Sequence, residues 1–246
     1  RALLLVTGGP GTGKTTTIAR LLVLRIAQAL QAGTTPPRIA LAAPTGRAAE
    51  RMAESLRRAV AQMAEHGIGA ALLDALPAQA STLHRLLGTI PDSPRFRHHA
   101  DNPLPFHIVV VDEASMLDLS LLDALLQALP ETAQLFLVGD ADQLTSIGTG
   151  SVLLDLVAAM EGSDDLVRLR HGFRTQSPQL PGLLTAARKG DVGAFKSEFD
   201  DVDDVDGADA VWHRVLSTPQ LDARLHAWAK RLAGVLPLQG GRALNE

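Results

Sequence analysis

Eight residues near the start of the chain carry the clearest chemistry. Gly8-Gly9-Pro10-Gly11-Thr12-Gly13-Lys14-Thr15 fits the spacing G-x-x-x-x-G-K-[ST] in full. Glycines at those places let backbone N–H groups turn toward one point and approach phosphate oxygens closely. Lys14 supplies a mobile cation for β and γ phosphates, and Thr15 a hydroxyl for magnesium. The expected nucleotide contacts are therefore Gly9, Pro10, Gly11, Thr12, Gly13, Lys14, Thr15 and Thr16. The competing reading is a glycine-rich turn between strand and helix. It leaves the full motif, in its strand–helix context, unexplained.

A second constellation lies a hundred residues on. The apolar run 107–111 ends in Asp112-Glu113-Ala114-Ser115. A buried strand that terminates in two carboxylates is costly unless they meet a cation. Asp112 is placed to hold magnesium through its water shell. Glu113 would orient and deprotonate an attacking water. Alternatively, the acidic pair caps the following helix.

These groups need elements to position them. Residues 2–6 form a short continuous apolar run that reads as a buried parallel strand. Further strands are expected at 39–43, 107–111 and 135–138, and helices at 14–30, 45–65, 80–87, 119–129 and 151–160. Residues 91–105 read as a polar loop. Strands that alternate with helices predict an α/β fold, a parallel sheet covered on both faces. Its ligand would sit at the carboxyl ends of the strands.

Composition narrows the classes. Net charge is -4, so any nucleic-acid binding must use a local groove rather than a basic coat. Aromatics are only 3%, which limits base-stacking platforms. The chain has no cysteine, which excludes disulfides and Cys-based zinc and fits a reducing, cytoplasmic setting. No run is long and apolar enough for a bilayer, so no membrane role is expected. The first residue is Arg1, not Met, and the chain reads as a piece of a longer protein. In the acidic run 200–206, aligning Gly207 as the sixth position of a calcium loop puts Val202 and His213 at ligand positions, so a solvated loop is expected. His98-His99 lacks further ligands for a metal. Residues 221–236 could form an amphipathic helix without a functional reading.

Four more segments carry a resemblance. They are Ala43-Pro44-Thr45-Gly46-Arg47-Ala48-Ala49, Ser81-Thr82-Leu83-His84-Arg85-Leu86-Leu87-Gly88, Val138-Gly139-Asp140-Ala141-Asp142-Gln143-Leu144 and Leu169-Arg170-His171-Gly172-Phe173-Arg174. With the phosphate cradle and Asp-Glu-Ala-Ser, their order resembles motifs I, Ia, Ib, II, III and IV of superfamily 1 DNA helicases. The wording of the segments, with Arg97-His98-His99-Ala100-Asp101-Asn102-Pro103-Leu104, is similar to the RecD family, the alpha subunits of exodeoxyribonuclease V (RecBCD). The resemblance is close over residues 3–150 and looser over 166–191.

The resemblance implies a RecA-like P-loop core over residues 1–190, with 191–246 a linker or the start of a second motor domain. It implies ATP and Mg2+ as cofactors, and 5′ to 3′ movement on single-stranded DNA. Duplex DNA ends and the RecB and RecC subunits would be partners. Carried over by position, Gln143 would sense the γ-phosphate and Arg174 would stabilise charge on the transferred phosphoryl group. Pro44, Thr45, Gly46, Thr82 and His84 would touch the DNA backbone. The competing roles for three of them are a plain loop residue for Gln143, a surface ion pair for Arg174 and a packed helix histidine for His84. Rival readings of the whole are a free-standing RecD-like helicase, an assembly subunit that binds ATP only to dock, and a phosphoryl-transfer kinase. Motifs V and VI are absent.

Overall fold

In the computed structural model the described residues are 2–141, 143, 152–170, 182, 185–187, 190–197, 226 and 230. The apolar runs form strands β1 (Ala2–Gly8), β2 (Ile39–Ala43), β3 (Ser81–Thr82), β4 (Ile108–Val111), β5 (Gln134–Gly139) and β6 (Leu166–Leu169). Among the described residues they make one six-stranded sheet in the order β3-β2-β4-β5-β1-β6, and every pairing is parallel. Helices α1 (Lys14–Gln31), α2 (Gly46–Glu65), α3 (Ala70–Leu73), α4 (Leu83–Leu87), α5 (Leu119–Ala128) and α6 (Val152–Ala159) supply the crossovers. The α/β architecture expected from the alternation is the one observed.

Period-two alternation explains why the strand runs are continuously apolar. Val6, Leu41, Val110, Phe136 and Val138 point to one face and pack with Ile18, Leu22, Ile26, Met52 and Leu56 of α1 and α2. Leu5, Ala40, Val109, Val111 and Leu137 point to the other and pack with Leu83, Leu87, Leu122, Leu125 and Leu153 of α4, α5 and α6. A sheet with both faces covered leaves no polar side to a central strand.

Two expectations change. Residues 80–87 were expected as one helix. Instead Ser81 and Thr82 pair with Ala42 and Ala43, and only then does α4 begin. Thr82 is extended and its Oγ1 accepts from the Arg85 N–H at 3.2 Å, so the strand ends and the helix starts on the same side chain. Strand β6 was not anticipated at all. It is a four-residue edge strand of partly exposed residues, paired among the described residues with β1 alone, with Arg168 held by Glu161. Burial is too slight there to write a clear pattern.

The chain divides into two compact units, Arg1–Gln176 and Ser177–Glu246. Within the second, a short helix Val192–Ser197 is capped by Asp191, whose Oδ1 accepts from the Ala194 N–H at 2.9 Å. The expected acidic loop at 200–206 lies outside the described residues, as do Arg174 and all of 221–236 except 226 and 230.

Candidate nucleotide-binding site

The sheet order itself selects one place. From β1 the chain crosses α1 to β2 on one side, while β5 crosses back to β6 on the other side of β1. The carboxyl end of β1 is thus where the strand order reverses, the place where open α/β sheets hold ligands. The loop there is Gly9–Gly13. Gly11 and Gly13 have φ of 77° and 80°, a left-handed conformation that disfavours any side chain. Gly13 also precedes α1, so the first amides of that helix open onto the loop.

Lys14 Nζ donates to the carbonyls of Gly8 at 2.6 Å and Gly9 at 3.1 Å, which holds the ammonium across the loop. Thr12 folds back, its hydroxyl donating to Gly9 O at 2.8 Å. Thr15 and Thr16 follow in the first turn of α1. The start of the loop has no room to spare. A Cβ on Gly8 would lie 2.6 Å from Thr12 Oγ1 and 2.7 Å from the Leu169 carbonyl.

Register aligns the other groups with this loop. Thr7 of β1 faces Gly139 of β5, and Leu137 faces Val111 of β4. The ends of three neighbouring strands therefore carry the loop, then Asp140 to Gln143, then Asp112 and Glu113. Asp140 is buried, and Gln143 is exposed with its N–H donating to Asp140 O at 3.3 Å.

Electrostatics tie the groups together. Burial pushes the Asp112 carboxyl above its ordinary value. The Glu113 N–H, 2.9 Å from Oδ1, pulls it down; the Glu113 carboxylate pushes it up, and Lys14 pulls it down. Lys14 and Asp112 thus share one site. Glu113 has φ 53° and ψ 41°, a left-handed conformation in a residue with a side chain. Such a backbone costs about 1–2 kcal/mol and persists only where its surroundings enforce it. The acidic pair is not a helix cap. Glu113 makes no side-chain cap bond, and α5 is capped by Asp118, whose Oδ1 accepts from the Leu121 N–H at 2.7 Å.

A carboxyl whose folded value is raised costs the folded state stability; the cost is absent at low pH and accrues as pH rises above the ordinary carboxylate value. Asp112→Asn is therefore expected to melt higher than the parent at neutral pH, by about 1 kcal/mol in stability, while losing magnesium-dependent nucleotide binding. The gain should shrink as pH falls and the parent carboxyl protonates. Thermal melts over a pH series check it; a less stable variant at neutral pH would mean a well-paired carboxylate.

The other predicted contacts gather on the far half of the sheet. Ala43 of β2 pairs with Thr82 of β3, so Pro44-Thr45-Gly46 and Thr82-Leu83-His84 lie side by side. Thr45 Oγ1 caps α2, accepting from Ala48 N–H at 3.2 Å. Both threonine oxygens accept a backbone N–H, and each hydroxyl keeps a proton to donate. His84 is exposed and meets Phe96 edge-on, ring centroids 5.8 Å apart. It is a helix histidine that packs on one ring and is otherwise exposed.

Sequence reasoning did not see Gly139 as a packing residue. A Cβ there would lie 2.7 Å from Leu153 Cδ2 and 3.2 Å and 3.3 Å from the backbone nitrogens of Ser115 and Ala114. A glycine closing an apolar strand run was the available hint.

The chain is similar to known proteins. The family model described as "AAA domain" matches residues 1–149. The chain is 48% identical over 195 residues to the RecBCD enzyme subunit RecD of Mycolicibacterium smegmatis, covering 79% of this chain and 34% of that protein. It is 45% identical to the RecBCD enzyme subunit RecD of Mycobacterium tuberculosis, covering 92% of this chain and 38% of that protein. It is 39% identical to the ATP-dependent RecD2 DNA helicase of Deinococcus radiodurans, covering 64% of this chain and 18% of that protein. The chain spans 34% and 38% of the length of the first two of these relatives.

Proposed function

The chain belongs to the AAA domain family, and from that premise we propose that it is the ATP-driven motor segment of a DNA helicase subunit of the RecD kind. The observation that carries the reading is the shared level of three strand ends. The phosphate loop, the Asp112-Glu113 pair and the Asp140–Gln143 turn meet at the carboxyl edge of β1, β4 and β5.

In this reading Gly9 to Gly13 direct backbone amides at the phosphates, with Thr16 in the first turn of the helix that follows. Lys14 exchanges loop carbonyls for β and γ phosphate oxygens. Thr15 and Asp112 would hold Mg2+, which would supply charge neutralisation at the phosphates. Glu113 accepts a proton from the attacking water. Gln143, beyond the intervening strand, meets the γ-phosphate side. Pro44, Thr45, Gly46, Thr82 and His84 contact the backbone of single-stranded DNA, where small polar groups suffice and sequence is ignored. Movement is 5′ to 3′, and RecB and RecC are the partners at duplex ends. A strained Glu113 favours catalysis over an ATP-dependent docking role, which needs no base.

Lys14→Ala should weaken magnesium–nucleotide binding about a hundredfold to ten-thousandfold, since two charge-assisted contacts of about 1.5–3 kcal/mol each are lost. Titration with a fluorescent nucleotide checks it; parental affinity would move the site away from the loop. The function is tested in the full-length protein by ATPase with and without single-stranded DNA, and by unwinding of 5′-tailed against 3′-tailed duplexes. DNA-stimulated turnover and unwinding of the 5′-tailed substrate are expected. ATPase indifferent to DNA would overturn the helicase reading. Co-purification of two large subunits separates the RecBCD assignment from a free-standing helicase.

A further inference from the structure

Ser115 lies in the short 3-10 turn Ala114–Met116 that follows Glu113, and it is 8% exposed. Its Oγ has no hydrogen-bond partner among the described residues. A buried hydroxyl left unmet costs on the order of 1–3 kcal/mol. Ala114 beside it shows that an apolar side chain of nearly the same size is accepted in this turn. Packing alone therefore does not account for a serine.

The position of the hydroxyl's residue is informative. Its backbone nitrogen lies 3.2 Å from where a Cβ on Gly139 would stand, so the turn rests against the end of β5. Glu113, in its strained conformation, directly precedes the turn, and Gln143 follows Gly139 by four residues in the chain. The turn is the solid link between the proposed base and the strand that carries the proposed γ-phosphate sensor. A buried polar group without a partner calls for a physical account, and a second state in which it is met is one such account.

We propose that Ser115 is a positioning residue for the γ-phosphate. When a nucleoside triphosphate binds at the ends of β4 and β5, the Ser115 hydroxyl takes up a hydrogen bond from or to the chain just past Gly139. The bond locks Glu113 and Gln143 into one arrangement. It forms with a triphosphate and not with a diphosphate, because only the third phosphate reaches both strand ends. This rests on the roles proposed above for Glu113 and Gln143.

The test compares the parent with Ser115→Ala in the full-length protein. Affinity is titrated for a non-hydrolysable ATP analogue and for ADP, each with Mg2+, and both proteins are melted without nucleotide. The alanine variant should melt at the parental temperature or above. Its affinity for the analogue should fall about three- to tenfold, the worth of one hydrogen bond, while ADP binds as in the parent. Equal losses for both nucleotides, or no loss for either, would overturn the proposal. So would a variant that melts lower and binds both like the parent, since the hydroxyl would then be structural. A parent that binds neither nucleotide overturns the underlying site assignment, and the parent titration alone reveals that case.

Discussion

Glu113→Gln should bind magnesium and ATP as the parent does and lose turnover in the full-length protein by at least about a hundredfold, if the proposed role holds. The amide keeps the side chain's size and reach but cannot take a proton from water. The backbone adds a second test of the same residue. Glu113 sits at φ 53°, where glycine would be at ease. Glu113→Gly should therefore be as stable as the parent or more so, by about 1 kcal/mol, with turnover lost as in the glutamine variant. Together the two separate the carboxylate from the backbone shape. A glycine variant that retained turnover would make the left-handed turn, not the acid, the feature that matters. Single-turnover ATP hydrolysis and thermal melts on both variants decide it.

Much of this site was legible because its chemistry is local. The phosphate loop needs consecutive residues with defined backbone freedom, so its spacing survives as a string. Asp112 and Glu113 were legible because two acids at the end of an all-apolar strand conflict with burial unless they serve a cation. The strands β1, β2, β4 and β5 were legible for the complementary reason. Both of their faces are covered, so Ile108-Val109-Val110-Val111 has no polar position to blur it.

What was not legible depends on neighbours remote in sequence. Ser81 and Thr82 look like the first residues of a helix, and become a strand only because Ala42 and Ala43 offer an edge to pair with. Leu166 to Leu169 has one buried-side partner and a solvated flank, so its pattern is that of a loop. The tight approach of Gly139 to the Ser115 turn, and the left-handed Glu113, arise from how the ends of β4 and β5 meet. No periodicity records such a meeting. The division of the chain near Gln176 is likewise a property of contacts.

Strand β6 gives the Arg174 prediction its physical footing, although Arg174 itself lies outside the described residues. Leu169 pairs with Gly8, and its carbonyl would lie 2.7 Å from a Cβ there, so the chain leaves β6 beside the first residue of the phosphate loop. Five residues further on is Arg174. Five residues span at most about 18 Å when fully extended, so the length of chain after Leu169 is enough for Arg174 to reach the loop. Hydrolysis builds charge on the transferred phosphoryl group, and a guanidinium at that point acts mainly in the transition state. Arg174→Ala should therefore lower DNA-stimulated turnover on the order of a thousandfold and leave ATP affinity within a few fold. Arg174→Lys should recover little, because an ammonium lacks the planar two-pronged donor. Steady-state ATPase and equilibrium nucleotide titration on the complete protein separate the outcomes. Equal losses in affinity and rate would make Arg174 a ground-state binding residue. Parental values for both would return it to a surface ion pair, worth well under about 1 kcal/mol and without a part in the reaction.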